Sequence, residues 1–261
     1  MAPLDWLDVT DLSFNSLLLL ERVQLSWFPG WVPERELGTA LRANPVVEWY
    51  LRHKCPELGA WLDGVMSAAP TGNDVDSVRD AEETVMRSIN DLLVYVVDPA
   101  SYDARPFLEW DSRELTELVD FTGKTVIDVG SGTGRLALVA APTAVAVFAV
   151  EPVGNLRRFL AEKARRQGFS NVYPADGLVT DVPFPNGFAD VTMGGHVFGD
   201  DPQAEIREVL RVTKPGGTVI ACPGNNDVDN ETHRVFLAHG FDWSRFDEPE
   251  DGTKRKYWKR V

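Results

Sequence analysis

In the run Asp128-Val-Gly-Ser-Gly-Thr-Gly134, a carboxyl stands two residues ahead of three alternating glycines, at the end of the β-branched stretch from Lys124 to Val129. Residues without a Cβ let a chain turn sharply after a strand and let its backbone N–H groups approach a ligand. The next run, Arg135-Leu-Ala-Leu-Val-Ala140, predicts a helix whose N-terminus faces the same place. Together they describe a nucleotide-like cofactor site. Spacing excludes two common versions of it. A dinucleotide fingerprint needs its third glycine at position 135, which is Arg135, and a phosphate loop needs a Gly-Lys-Ser/Thr that does not follow. Two other side chains could do chemistry. Glu151 ends the apolar run from Ala144 to Val150, and such a strand-end carboxylate accepts hydrogen bonds from ribose hydroxyls. His196 follows Gly194-Gly195, and a histidine ordinarily titrates where proton transfer near neutrality is practical. Their plain alternatives are a solvated strand end and a packing or solvent-facing histidine.

These residues need elements to position them. Apolar runs at Lys124–Val129, Ala144–Val150, Asn171–Ala175 and Phe188–Met193 read as strands, with a fifth rising from Lys214-Pro-Gly-Gly217 to Ile220. Helical patterns over Asn155–Gln167, closed by Gly168, and over Ala204–Val212 alternate with them, which predicts an α/β fold. Asp190 opens the fourth strand and reads as structural. Lys254–Arg260 reads as a terminal strand rather than a basic arm, and His233 and His239 as surface or packing residues. The N-terminal half is helical throughout. Leu12–Leu25, Pro33–Arg42, Val46–Lys54 and Pro56–Met66 are short helices, and Asp74–Val97 is a longer one after a loop at 69–74. Asp111-Ser-Arg-Glu114 resembles a capping box before the helix that leads into the first strand.

Taken in order, D-x-G-x-G-x-G at 128–134, Glu151, Asp176-Gly177-Leu178 and Leu210-Arg-Val-Thr-Lys-Pro-Gly-Gly217 resemble the landmarks of the class I S-adenosylmethionine (SAM)-dependent methyltransferases. The resemblance implies an α/β fold with a Rossmann-like, mostly parallel, seven-stranded sheet over residues 107–261. Residues 1–106 would then be an all-helical N-terminal cap on the substrate side. It also implies SAM as cofactor and S-adenosylhomocysteine as product. Asp128, Gly130, Ser131, Gly132 and Gly134 would form the loop around the cofactor, and Glu151 with Pro152 would meet the ribose. Asp176, with Gly177 and Leu178, would meet the adenine; Asp181 is the rival acid, and Asp176 is preferred. The acceptor would lie near the loop after the fourth strand, where His196 is the candidate base. Trp49, Tyr50 and His53, on one short helix, join His196 as candidate substrate-binding residues.

Composition narrows the acceptor. The net charge is −14, with 22 acidic and 9 basic side chains in residues 1–122 and 18 and 17 in the remainder. The half expected to face the substrate is therefore the acidic one, which argues against nucleic acid as partner. An Asn/Asp-Pro-Pro-Tyr/Phe motif, the family's mark for methylating base amino groups, is replaced by Gly194-Gly-His-Val-Phe198. Cys222 follows the fifth strand, but the Pro-Cys after the fourth strand that accompanies cytosine C5 chemistry is missing. Six of the eight tryptophans precede residue 122. They either line an acceptor pocket or fill the cap's own core, the second being preferred for most. Cys55 and Cys222 share no disulfide or metal spacing, no metal cluster is legible, and no apolar run is long enough to span a bilayer, so a reduced cytoplasmic protein is expected. The expected activity is methyl transfer to a small molecule by in-line displacement. The alternatives are an RNA or protein methyltransferase and a non-catalytic SAM-binding module. No motif bears on the acceptor atom or on oligomeric state.

Overall fold

A computed structural model of the chain describes residues 6–70 and 75–261, in two compact units that meet in sequence between Tyr102 and Asp103. The second unit is built on seven strands: β1 (Thr125–Val129), β2 (Ala146–Val150), β3 (Val172–Ala175), β4 (Ala189–Gly194), β5 (Thr213–Asn226), β6 (Asp242–Glu248) and β7 (Gly252–Arg260). They lie in the order β3-β2-β1-β4-β5-β7-β6, with β3, β2, β1, β4 and β5 parallel and β7 antiparallel to both of its neighbours. This is a doubly wound, Rossmann-like α/β sheet. The chain leaves β1 toward β2 and β3, then returns to the other side as β4, so the strand order reverses between β1 and β4. The carboxyl ends of those two strands open a crevice there, where ligands bind in open α/β sheets.

Both faces of the sheet are covered, which is why its strands read as nearly continuous apolar runs. Val126, Val147, Met193 and Ile220 pack with Trp110, Leu136, Ala137 and Leu160 on one face. Ile127, Val129, Val150 and Val219 pack with Ile206, Val209, Phe236 and Tyr257 on the other. Strand alternation gives Asp128 the same face as Val126, toward the segment after the glycine loop. That segment is a single turn of helix, Ala137–Ala140, shorter than the run from Arg135 suggested. Arg135 is spent otherwise: its guanidinium stacks over the Trp110 ring at 4.3 Å and donates to the carbonyl oxygens of Leu108 and Trp110. The 111–114 capping box does not form. Asp111 accepts from Arg113 N, and the Glu114 carboxylate pairs instead with Lys256 Nζ at 2.6 Å.

The first unit is helical, and its core is mainly aliphatic, with Phe14 and Phe28 rather than tryptophans as its buried rings. Leu17, Leu20, Leu25, Phe28, Leu37, Leu41, Leu51, Leu62 and Met86 are fully buried, whereas Trp27, Trp31 and Trp49 are 38%, 43% and 58% exposed. The preference for the tryptophans as core residues is overturned for these three. Two expected helices are also divided. Leu12–Leu25 resolves into a 3₁₀ segment, Phe14–Leu19, and a helix, Arg22–Ser26, split at Leu20 and Glu21. The long helix breaks at Ile89 into Val75–Ser88 and Asn90–Val97, and the Asn90 amide at the start of the second serves as a bracket. It accepts from Trp6 N and Leu7 N and donates to Leu7 O. The expected start at Asp74, and residues 71–74 of the expected loop, lie outside the described residues.

Candidate functional site

Parallel strands bring their carboxyl ends to one edge, so residues widely spaced in sequence converge there. Gly130, Ser131, Gly132 and Gly134 follow β1, Glu151 and Pro152 follow β2, Asp176, Gly177 and Leu178 follow β3, and His196 follows β4. The glycine loop has φ of +62°, +52° and +92° at Gly130, Gly132 and Gly134, values that side chains other than glycine rarely adopt. Gly130 also needs its missing Cβ: one built there would lie 2.1 Å from Val197 Cγ1. The loop carrying His196 therefore packs directly on the glycine loop.

Glu151 is buried, and both of its carboxylate oxygens are oriented by the chain. Gly132 N donates to Oε2 at 2.9 Å and Val153 N to Oε1 at 2.9 Å. Burial nevertheless dominates and raises its pKa to about 7. Asp128 is buried in the strand behind it, with Ala137 N donating to Oδ2 at 2.9 Å. Burial pushes its pKa up to about 8, and the nearby Glu151 carboxyl adds to the shift. Asp128 Oδ1 and Ser131 Oγ are buried without a hydrogen-bond partner. Unmatched polar atoms at a positive-φ glycine loop, beside a buried strand-end carboxyl, fit a ligand that brings donors and acceptors of its own. A nucleoside-bearing cofactor is such a ligand.

After β3 the acid preferred for the adenine, Asp176, is largely exposed and paired with Arg157 Nη1 at 2.8 Å. Asp181 is exposed too, and its backbone bridges to Leu178. Gly177 is hemmed in, since a Cβ there would stand 2.6 Å from Pro183 Cδ. Leu178 is left 37% exposed on this loop.

His196 has φ +60°, a left-handed conformation uncommon for a residue other than glycine or asparagine. Its backbone N–H donates to Pro223 O at 2.9 Å. Its imidazole Nε2 lies 2.7 Å from Glu248 Oε1, at the end of β6, and its ring meets Phe107 edge-on at 5.5 Å. Glu248 is completely buried. No local pattern marks it in the sequence, 52 residues beyond the histidine; only the folding of the β6–β7 hairpin onto β5 brings it there. Trp49, Tyr50 and His53 belong to the helical unit, on the helix Pro45–Lys54. Trp49 and His53 stack at 4.0 Å, and the Tyr50 hydroxyl donates to Leu20 O at 2.7 Å. Among the described residues there is no His/Cys/Asp/Glu group able to hold a metal ion, and both cysteines are free and buried. Among them, too, no helix is long and apolar enough to cross a membrane.

The stretch 127–221 matches a family model described as a methyltransferase domain. An uncharacterised protein of Mycobacterium tuberculosis is 31% identical over 99 residues, covering 37% of this chain and 36% of that protein. The chloroplastic 2-methyl-6-phytyl-1,4-hydroquinone methyltransferase of Arabidopsis thaliana is 35% identical over 94 residues, covering 35% and 28%. The chain thus spans about a third of the length of these relatives. Among solved structures, a SAM-dependent methyltransferase from Aquifex aeolicus aligns at TM-score 0.49 and 18% identity, covering 63% of this chain and 99% of that one.

Proposed function

From a class I SAM-dependent methyltransferase domain over residues 127–221, we propose that the protein transfers a methyl group to a small-molecule acceptor. The observation that carries this reading is Glu151, buried at the tip of β2 with its carboxylate oriented by Gly132 N and Val153 N beside the glycine loop. Its remaining lone pairs suit the two hydroxyls of a ribose. In this reading Asp128 and Ser131 hold the loop and meet the amino-acid end of SAM. Asp176, Gly177 and Leu178 bound the adenine, with Asp176 exchanging part of its contact with Arg157. Bound SAM supplies an electrophilic methyl carbon on a sulfonium, whose departing electron pair stays on sulfur. The protein's share is to align an acceptor with that carbon and to exclude water.

The small-molecule acceptor is supported by charge and by two relatives. The Arabidopsis relative is named for a hydroquinone, and a relative from Lactococcus lactis, 26% identical over 117 residues, is named a demethylmenaquinone methyltransferase. The helical unit, with Trp49 and His53 as exposed or half-exposed aromatic groups, is assigned a part in acceptor choice on sequence grounds alone; Tyr50 joins them through its ring, because its hydroxyl is already bonded. The test is incubation with methyl-labelled SAM and separate metabolite, RNA and protein fractions. Label in the metabolite fraction is expected, and label confined to RNA or protein would overturn the small-molecule reading. Binding of S-adenosylhomocysteine without turnover in any fraction would favour the non-catalytic module.

A further inference from the structure

Most of the cofactor edge consists of backbone groups and carboxyls, none of which needs to move a proton. His196 and Glu248 are different. With Glu248 as a carboxylate, which only accepts, the 2.7 Å contact requires a proton on Nε2, and in a neutral imidazole that leaves the lone pair on Nδ1. Glu248 has no other role in view: it is fully buried, its Oε2 has no hydrogen-bond partner, and its nearest cation, Lys254 Nζ, stands 3.6 Å away. Lys254 itself is tied to Asp251 and Asn226, at 2.6 Å each. His196 keeps about a third of its side chain exposed, and it holds a left-handed backbone immediately before Val197, the residue packed on Gly130. Strain of this kind persists where the surroundings over-determine it, here through Pro223 O, Phe107 and Glu248.

Resting on the methyltransferase reading above, we propose that Glu248 is a positioning residue that holds His196 as its Nε2–H tautomer, with Nδ1 as base for an acidic hydroxyl, and that the methyl group goes to that oxygen. An amine attacks through a lone pair it already has and needs no base beforehand. A hydroxyl is a poor nucleophile until its proton leaves. A phenol or enol is the class an imidazole serves, since a phenolic proton is ordinarily lost near pH ~10, far more readily than that of an aliphatic alcohol. The acceptor O–H bond breaks with its proton going to Nδ1, and an oxygen electron pair forms the O–CH₃ bond. The S–CH₃ pair remains on sulfur, which leaves the sulfonium donor as a neutral thioether. The imidazolium then faces the Glu248 carboxylate and returns its proton to solvent.

The first test needs no acceptor: ¹⁵N NMR of the imidazoles in the parent protein, with the His196 signal identified by its loss in His196→Asn. Asparagine is chosen because it tolerates a left-handed backbone. The expected result is a protonated Nε2 and an unprotonated Nδ1, with that preference lost in Glu248→Gln, whose amide can donate to Nε2. A protonated Nδ1 in the parent, or an unchanged His196 signal in Glu248→Gln, would overturn the proposal. S-adenosylhomocysteine affinity by calorimetry is expected to stay within about twofold in both variants. If the parent itself does not bind this ligand, the methyltransferase reading fails and the proposal falls with it; a bound parent with the wrong tautomer removes the proposal alone. With catechol and 1,3-cyclohexanedione as probe acceptors and benzylamine and thiophenol as controls, label is expected on oxygen. The rate should fall about 100-fold or more in His196→Asn, and about 10-fold in Glu248→Gln with KM for SAM unchanged. Label on carbon, nitrogen or sulfur, or none on either hydroxylic probe, would also overturn it.

Discussion

Glu151 and Asp128 are two carboxyls within one buried patch, and burial has set their charge to depend on pH in a range where most carboxyls are fully ionised. If Glu151 meets the ribose as proposed, removing its carboxylate deletes an acceptor for the hydroxyls, an interaction of about 1.5–3 kcal/mol for a charged partner. Glu151→Ala should therefore bind S-adenosylhomocysteine roughly 10–100-fold more weakly by calorimetry. Affinity equal to the parent's would refute the ribose assignment. The same pair has a signature in stability. Their folded-state pKa values, about 8 and about 7, lie above the ordinary carboxyl range, so the folded protein holds protons that the unfolded chain has lost. That contribution is complete below about pH 4 and disappears as pH rises through about 7 to 8. Asp128→Asn, which cannot ionise, should lose less thermal stability than the parent between about pH 5 and pH 8. Parallel melting curves across that range are the measurement; identical slopes would contradict the raised pKa.

At the scale of elements, most of what positions the site could be read from residue type and spacing. β-branched runs ending in glycine or acid marked the carboxyl ends of β1 and β2, because a strand buried on both faces has no polar alternation to hide its limits. The helix at Gly154–Arg166 and its Gly168 stop were legible for a similar reason, since a left-handed residue after a helix is nearly always glycine. What could not be read depends on partners far along the chain. Arg135 stands where a glycine would serve another cofactor, and its role came from the carbonyls of Leu108 and Trp110. The Asn90 amide, beside the break at Ile89, binds residues 6 and 7, and Glu248 came from a hairpin register. Asp190 shows how such ties work within the sheet. It accepts from Thr125 N at 2.9 Å and from Lys214 Nζ at 2.7 Å, joining the starts of β1, β4 and β5. Asp190→Ala is expected to cost about 1–2 kcal/mol in denaturant unfolding and to leave S-adenosylhomocysteine affinity unchanged. A loss of affinity without a loss of stability would reassign it to the site.

For the molecule as a whole, charge says more than shape. The excess of acid lies in residues 1–122, and the first three cations of the basic run Lys254–Arg260 are consumed inside the fold. Lys254 pairs with Asp251, Arg255 with Asp227 and Asp229, and Lys256 with Glu114, each with little exposure of the basic side chain. Three of the run's five cations are thus spent on carboxylates of the chain itself rather than left for a phosphate backbone. Filter binding with mixed RNA at about 0.1 M salt is expected to show no saturable retention; retention that weakens steeply with added salt would overturn this.

The place of Glu248 has a further consequence. The residues assigned to the cofactor follow β1, β2 and β3, on one side of the strand-order reversal, whereas the partner of His196 arrives from β6 at the opposite margin of the sheet. On the proposal above, donor recognition and acceptor activation would be carried by opposite margins of the sheet. Substitutions confined to the Glu248 side chain would then retune the second without touching the residues assigned to the first.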